Sequence, residues 1–226
     1  IFTQLQIEEA LVKTDTRSFC WINECTKDAI VMGISAKQED VICPHAIQKA
    51  PVPVIKRFSG GGSVLVDQDT IFITFILNHK TAGIKGSSDS ILSWAASFYT
   101  SAIDDPSFQY REQDFVLGEQ KCGGNAQYIR KDRFLFHSSF LWDFSEEKMQ
   151  HLLFPKKTPP YRNNRSHAEF LKPLSAHFSC KDSWINLIKQ AAEKQFLVKN
   201  ISLEYISKAL ERPHRRATKK IPLLGS

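Results

Sequence analysis

The sequence lacks several patterns that would assign it at once to a common class of protein. No apolar run approaches the length of a membrane span, and no charged, apolar leader follows Ile1, although residue 1 is not Met and removal of a leader stays open. The cysteines are odd in number and form no Cys-x-x-Cys pair: Cys20, Cys25, Cys43, Cys122 and Cys180. We therefore expect no disulfide framework, no metal-ligating site, no membrane association and an intracellular, reducing compartment, either cytoplasm or an organelle.

Aromatic residues are scarce where the positive charge is concentrated. The chain of 226 residues has a net charge of +6 and a pI of about 9.0, with basic clusters at 156–157, 162–165 and 212–220. Because few aromatic side chains are interleaved to stack on bases, this pattern argues against nucleic-acid binding. Two interpretations stay open, a basic face that steers an acidic protein partner and ordinary solvated charge.

Length and periodicity predict one α+β domain over residues 1–226, with a mixed, largely antiparallel sheet flanked by helices. Apolar spacing predicts an opening helix from Leu5 to Thr14, a helix over 88–103 and a helix over 184–195, with further helix starts at Asp143 and Ser166. Strands are predicted at 19–23, 29–34, 52–58, 63–66 and 71–77, and around 115, 126 and 138. The strands at 52–58, 63–66 and 71–77 are expected to form a meander, and 71–77 to be covered on both faces.

A cationic, glycine-rich loop separates two of these strands. The segment Lys56-Arg57-Phe58-Ser59-Gly60-Gly61-Gly62-Ser63 has no Gly-Lys-Ser/Thr and no strand-GxGxxG-helix context, so it is neither a Walker loop nor a dinucleotide site. Glycines allow positive φ and close approach of backbone N–H groups to an anion, and Arg57 adds a forked charge. The loop predicts an anion site; a glycine-rich hairpin without a ligand is the alternative.

A second segment has a similar character. Lys121-Cys122-Gly123-Gly124-Asn125-Ala126-Gln127 follows the strand-like 115–117, and His137 lies inside the apolar run 134–142. A lysine beside two glycines suits a point charge held over a negative group. Taken singly, Lys121 is also typical of a surface turn, and His137 of a satisfied core histidine.

Taken together, the two segments and the histidine resemble the catalytic domain of lipoate protein ligases. The family pattern is Arg-Arg-x-Ser-Gly-Gly-Gly-x-Val-x-His-Asp-x-Gly-Asn, then Lys-x-x-Gly-x-Ala, then a strand opening with histidine. This chain matches the pattern over roughly residues 5 to 200. The overall character of its sequence is most similar to that of the plant-like members. It departs from the pattern at Lys56, at Val66 in place of the histidine, at Asp69-Thr70 in place of Gly-Asn, and at Ser138.

The resemblance implies the biotin/lipoate protein ligase fold, which is class II aminoacyl-tRNA synthetase-like. It implies that lipoate is activated by ATP with Mg²⁺ to lipoyl-AMP and transferred to a lysine of an acidic acceptor domain, such as glycine cleavage H protein or a 2-oxoacid dehydrogenase E2. Lys121 is implied as the catalytic residue, acting electrostatically. The implied ligand-binding residues are Arg57, Ser59, Gly60, Gly61, Gly62, Ser63, Val64, Asp67, Gly124, Asn125, Ala126 and His137.

Three further possibilities stay open. No accessory C-terminal domain is expected after residue 200, which leaves room for a separate accessory subunit. An octanoyl or lipoyl transferase shares the fold and uses a cysteine thioester, for which Cys122 or Cys180 are the candidates. A non-catalytic protein that binds lipoate or an acyl-adenylate is the third; biotin ligases are disfavoured because their Gly-Arg-Gly-Arg loop is absent.

Overall fold

The computed structural model describes residues 1–24 and 26–223; Cys25 therefore lies outside the described residues. The helices are α1 Phe2–Thr14, α2 Pro44–Lys49, α3 His79–Ala82, α4 Ser88–Ile103, α5 Glu146–Met149, α6 His167–Phe170, α7 Lys181–Gln195 and α8 Leu203–Ser207, with 3-10 turns at Gln38–Asp40, Pro160–Arg162, Leu174–Ala176 and Lys208–Glu211. The strands are β1 Phe19–Asn23, β2 Ala29–Met32, β3 Val54–Lys56, β4 Val64–Val66, β5 Thr70–Asn78, β6 Phe108–Arg111, β7 Asp114–Leu117, β8 Gln120–Ile129, β9 Arg133–Leu141 and β10 Lys219–Ile221.

The larger sheet is fully antiparallel and has the strand order β1-β5-β9-β8-β7-β6. Helices α4 and α7 pack on one face, and their apolar side chains join those of the sheet in one cluster. The prediction that the apolar run in β5 is covered on both faces is confirmed, since every residue from Thr70 to Leu77 is buried. Helix α4 begins as predicted, with the Ser87 hydroxyl accepting a hydrogen bond from the Ser90 N–H.

The smaller sheet has the order β10-β3-β2-β4, in which β2 and β3 run parallel. The predicted meander is therefore wrong: β3 and β4 flank β2 rather than pair with each other, and β5 belongs to the larger sheet. The four residues of β2 are all buried, so this strand occupies the centre of the small sheet, and the glycine-rich loop connects the strands on either side of it. The α+β class and the mixed, largely antiparallel pairing are confirmed.

The basic segment near the end of the chain has a structural role that the sequence did not predict. Lys219 to Ile221 form β10, which pairs antiparallel with β3. Just before it, the Glu9 carboxylate, which is 1% exposed, accepts hydrogen bonds from the backbone N–H groups of Ala217 at 2.7 Å and Thr218 at 2.8 Å. Part of the cluster at 212–220 is thus an anchored edge strand rather than a free charged segment.

Two predicted helix starts have different outcomes. Ser166 opens α6 with a complete capping box, in which Glu169 is the reciprocal partner. The start predicted at Asp143 is displaced, because α5 is capped by the Ser145 side chain and the Asp143 carboxylate only accepts from the neighbouring Phe144 N–H. In residues 1–24 and 26–223, no helix is long and apolar enough to cross a membrane.

Candidate active site

A cavity of about 560 Å³ is lined by residues from both sheets and by Leu5 of α1. Its wall includes residues of the glycine-rich loop and of strands β8 and β9. An adjoining cavity of about 220 Å³ shares Lys121, Gly124 and Ser139 with the first. The residues that line only this second cavity are largely apolar, with Leu65, Leu141, Met149 and Phe170 among them. The volume of the first cavity lies in the range usual for small-molecule sites, and Lys121 lies where the two cavities meet.

Arg57 holds the glycine-rich loop in shape. Its guanidinium is 3% exposed, and Nη2 donates to the carbonyl oxygens of Gly60 and Gly62, both at 2.7 Å. Nε also donates to the Gly60 carbonyl oxygen, at 3.2 Å. Burial lowers the pKa of Arg57 to about 10, so the side chain stays protonated at neutral pH. Arg57 lines the cavity but gives these hydrogen bonds to the loop, so its direct contact with an anion stays a prediction.

Two glycines determine the shape of this loop: Gly61 through its backbone conformation, and Gly33, outside the loop, through its close packing against Gly61. Gly61 has a φ of 92°, whereas the other two glycines of the triplet have no positive φ. A Cβ on Gly33, the residue after β2, would lie 2.2 Å from the Gly61 carbonyl oxygen. The loop therefore rests directly on the backbone at the end of β2, a contact for which only glycine leaves room.

The remaining predicted loop residues are divided between the cavity wall and the interior. Gly61, Gly62, Ser63 and Val64 line the cavity, and a Cβ on Gly62 would meet nothing within 4 Å. Gly60 and Ser59 do not line it; the Ser59 hydroxyl is buried without a hydrogen-bond partner among the described residues. Space for a ligand thus adjoins the second half of the loop.

Lys121 belongs to a strand, so its predicted position in a glycine loop is wrong. It is the second residue of β8, and the register with β7 shifts there: Phe115 pairs with Gly123 but Val116 pairs with Lys121. This β-bulge puts Lys121 and Gly124 on the same side, where a Cβ on Gly124 would lie 3.4 Å from both Cε and Nζ of the lysine. A bulge is a common device for re-aiming a side chain near a site, and here it directs Lys121 into the cavity.

Asp114 is the partner of Lys121. Lys121 Nζ lies 2.7 Å from Asp114 Oδ1, and the Tyr161 hydroxyl donates to Asp114 Oδ2 at 2.9 Å. Burial, and then the nearby Asp114 carboxylate, raises the pKa of Tyr161, which keeps its hydroxyl a donor. The charge-assisted pair fixes the ammonium in position. Neither Asp114 nor Tyr161 was singled out from the sequence.

Cys122 faces the opposite way from Lys121. Its side chain is fully buried in the main core, and burial raises the pKa of the Cys122 thiol. The neighbouring Lys121 does not lower this pKa, because desolvation of the thiolate outweighs the attraction of the lysine charge. Cys180 is exposed at the start of α7 and lines neither cavity. Cys20, Cys43, Cys122 and Cys180 are free thiols.

Asn125 and Asp67 both stabilise turns. Asn125 Nδ2 donates to the Gln113 carbonyl oxygen at 2.6 Å and so fixes the β6–β7 turn, whose residues Glu112 and Gln113 have positive φ. Asn125 and its neighbour Ala126 line the cavity. Asp67 does not: its Oδ1 accepts from the Asp69 N–H and the Thr70 hydroxyl in the β4–β5 turn.

His137 lies on β9 and lines the cavity through a ring that is almost completely buried. Its Nδ1 lies 2.8 Å from Oε2 of Glu8, a carboxylate on α1 with no solvent exposure. Oε1 of Glu8 accepts from the Thr74 hydroxyl and from Gln4 Nε2, both at 2.8 Å. Every oxygen of this buried carboxylate is therefore bonded, and the histidine ring is held in one orientation.

The structure brings Arg57, Gly61–Val64, Lys121, Gly124–Ala126 and His137 to one cavity, while Ser59, Gly60 and Asp67 lie behind it. Sequence reasoning missed Glu8, Gly33, Asp114 and Tyr161. One signal was present for Glu8: the pair Glu8-Glu9 interrupts the apolar spacing between Ile7 and Ala10, and both carboxylates are buried. Buried carboxylates on a helix require partners, and such partners often belong to a site.

The residues present fit a nucleotide better than they fit a dedicated metal cage. The backbone at Gly62 has free space beside it, and Lys121 supplies a positive charge, so both can contact phosphate oxygens. In the described ranges 1–24 and 26–223, no three His, Cys, Asp or Glu side chains cluster as metal ligands. Mg²⁺ commonly binds through substrate phosphates and retained waters, with few protein ligands, so it would be held here mainly by a bound triphosphate.

Comparison with known proteins agrees with this geometry. A family model described as the lipoyl protein ligase A/B catalytic domain matches residues 1–197. The chain is 29% identical to the inactive lipoate–protein ligase 2 of Plasmodium falciparum, covering 67% of this chain and 50% of the relative. It is 27% identical to the probable lipoate-protein ligase A of Mycoplasma genitalium, covering 62% of this chain and 40% of the relative. The chain thus spans half or less of the length of these curated relatives; the plant-like sub-assignment stays a prediction.

Solved structures show the same fold. A lipoate-protein ligase A structure bound with ATP has a TM-score of 0.69 at 15% identity and covers 92% of this chain and 88% of the other. A bipartite lipoate protein ligase, described with its E2 lipoyl domain from Thermoplasma acidophilum, has a TM-score of 0.72 at 16% identity and covers 92% and 86%. These similarities confirm the predicted architecture.

Proposed function

Because the chain belongs to the lipoyl protein ligase A/B catalytic domain family, we propose that it activates lipoate with ATP and transfers the lipoyl group to a lysine of an acceptor domain. The observation that carries the proposal is the position of Lys121, which is paired with Asp114 at 2.7 Å and lines both cavities together with Gly62 and Ser63 of the glycine-rich loop. An acyl-adenylate has two dissimilar parts joined at a charged centre, and a fixed cation at such a junction suits it.

The chemistry assigned to the site has two steps. In the first, a carboxylate oxygen of lipoate attacks the α-phosphorus of ATP, the bond to the bridging oxygen breaks, and pyrophosphate leaves with the electron pair. In the second, the acceptor lysine amine attacks the lipoyl carbonyl carbon, AMP leaves, and the amine proton passes to solvent. Negative charge develops beside the α-phosphate in both steps, and the Lys121 ammonium stabilises it without giving up a proton.

The proposed acceptor is a lipoyl domain such as that of a 2-oxoacid dehydrogenase E2 or glycine cleavage H protein. The bipartite Thermoplasma acidophilum ligase is described together with an E2 lipoyl domain, which supports this class of partner. Charge complementarity favours an acidic acceptor, since the chain carries a net charge of +6. A separate accessory subunit belongs to the same proposal.

The second candidate is a protein that binds lipoyl-AMP without forming it. One of the relatives is named an inactive ligase. The chain also departs from the family pattern at Thr70, which lines the smaller cavity, and at Val66, which packs in an apolar cluster. The transferase alternative has less support, because Cys122 is buried in the core and Cys180 is outside both cavities.

The deciding experiment measures pyrophosphate release and lipoyl-AMP formation by the purified chain with ATP and lipoate. Release that depends on lipoate, with lipoyl-AMP detected by mass spectrometry, supports the ligase. Synthetic lipoyl-AMP with an apo-lipoyl domain then tests transfer alone. If the chain binds lipoyl-AMP tightly but releases no pyrophosphate from ATP in the presence of lipoate, octanoate or biotin, the second candidate replaces the ligase.

A further inference from the structure

Three cations around the two cavities, Lys121, Arg57 and Arg162, are engaged by protein groups. Lys121 is paired with Asp114, and Arg57 donates three hydrogen bonds to loop carbonyls. Arg162 is 4% exposed, and its guanidinium lies 4.5 and 4.7 Å from the ring centroids of Phe154 and Phe170. A nucleoside triphosphate carries several negative charges, and these three side chains leave the phosphates beyond the α position without a dedicated cation.

Lys157 differs from all three. It lies on the connection over residues 155–159, which begins and ends with proline, and it lines both the 560 Å³ and the 220 Å³ cavities. It is exposed, and among residues 1–24 and 26–223 it has no ion pair or hydrogen bond. A solvated ammonium on a flexible stem is free to follow a phosphate group.

The neighbouring lysine explains how the connection is oriented. Lys156 Nζ lies 2.5 Å from Asp40 Oδ1, and neither residue lines the two cavities. Pro155 and Pro159 restrict the backbone on either side of the lysine pair. Because Lys156 is paired with Asp40, Lys157 is the cation that this connection offers to the two cavities.

We infer that Lys157 contacts the β- and γ-phosphates of a nucleoside triphosphate and stabilises the departing pyrophosphate. The inference rests on the proposed function, in which Lys121 acts beside the α-phosphate in both steps, and it adds Lys157 to the first step alone. When the bond between the α-phosphorus and the bridging oxygen breaks, the electron pair moves to the pyrophosphate, where the Lys157 ammonium meets the added charge. AMP and lipoyl-AMP lack these phosphates, so Lys157 acts on activation and not on transfer.

The test compares the dissociation constants of MgATP and AMP, measured by calorimetry, for the unmodified chain, Lys157→Ala and Lys131→Ala. Lys131 is an exposed lysine in the β8–β9 turn, outside the cavities, and controls for net charge. We expect Lys157→Ala to raise the dissociation constant of MgATP about tenfold, the effect of losing one charged hydrogen bond, and to leave that of AMP unchanged. Lys131→Ala should change neither, and Lys157→Arg should restore part of the MgATP affinity.

Two further outcomes keep this inference separate from the proposed function. If Lys157→Ala changes neither lipoate-dependent pyrophosphate release nor the affinity for MgATP, the inference is overturned, while the proposed ligase activity still holds. If the unmodified chain releases no pyrophosphate but Lys157→Ala still weakens the binding of MgATP and not that of AMP, the inference about Lys157 is supported and the proposed ligase activity is contradicted. Equal weakening of MgATP and AMP also overturns the inference, because Lys157 would then act on a part that both ligands share.

Discussion

Glu8 Oε2 lies 2.8 Å from His137 Nδ1, although the two residues are 129 positions apart in the chain. The contact joins α1 to β9 beneath the cavity floor. Because Glu8 also accepts hydrogen bonds from Thr74 and Gln4, one buried carboxylate organises the polar groups of three separate elements. The opening helix is therefore part of the site as well as part of the core.

Glu8→Ala should lower the free energy of unfolding by about 2–3 kcal/mol, because the Thr74 hydroxyl and the His137 ring would be left buried without their acceptor. Urea denaturation followed by circular dichroism measures the change. Glu39→Ala, at an exposed glutamate, is the control and should stay within about 0.5 kcal/mol of the unmodified chain. Equal free energies of unfolding for the two variants would show that the Glu8 hydrogen bonds do not stabilise the fold.

Lys121→Ala should slow lipoyl-AMP formation by about a hundredfold or more, the scale observed when one fixed electrostatic donor is lost. Lys121→Arg should restore little of the rate, because a planar fork does not fit the space beside Gly124 that the ammonium occupies. Thermal denaturation of each variant checks that the fold is retained. Near-normal turnover in Lys121→Ala would return this residue to the role of a strand-end surface lysine.

Gly33→Ala should weaken binding of lipoyl-AMP at least tenfold, because the added Cβ would lie 2.2 Å from the Gly61 carbonyl oxygen and one backbone segment must move. The control is Gly60→Ala: its Cβ would meet nothing within 4 Å, and Gly60 does not line the cavity. Calorimetric titration of both variants measures the difference. Unchanged affinity in Gly33→Ala would mean that the loop relaxes at no cost.

Acid should weaken the attachment of β10. Although burial alone would raise the pKa of Glu9, its bonds to Lys13, Thr218 and Ala217 hold that pKa below the usual value. A carboxyl group with a lowered pKa in the folded state stabilises the fold above its unfolded pKa, and this contribution is lost as the pH falls. Glu9→Gln should therefore reduce the free energy of unfolding at pH 7 and differ less from the unmodified chain at about pH 3. A difference that does not change with pH would contradict the ionic attachment.

Secondary structure was predicted best for segments in which burial follows one regular pattern from end to end. The β5 run was predictable because a strand buried on both faces is apolar at every position, and α4 because its apolar spacing matches one helix face. Strand β6 was missed, since Phe108-Gln109-Tyr110-Arg111 is short and of mixed polarity. Local pattern therefore predicts continuously buried segments better than a short strand of mixed polarity.

The relations across the site could not be read from the sequence. The pairing of Lys121 with Asp114 depends on a bulge between β7 and β8, and a bulge changes which side chains share a face without leaving a distinctive residue type. The predicted meander failed for a related reason: the parallel pairing of β2 and β3 is a long-range choice. The family pattern named several of the residues that line the cavity, but only the fold shows that Arg57 donates hydrogen bonds to the loop.

The contact between Gly33 and Gly61 also limits what conventional mutagenesis can reveal. Alanine scanning removes side chains and looks for loss, yet this contact consists of backbone alone and would survive every such deletion elsewhere in the chain. Only variants that add atoms can detect it. To find the residues that determine loop geometry in this protein, each glycine should therefore be replaced by alanine in turn, because the added methyl group detects backbone contacts that side-chain removal misses.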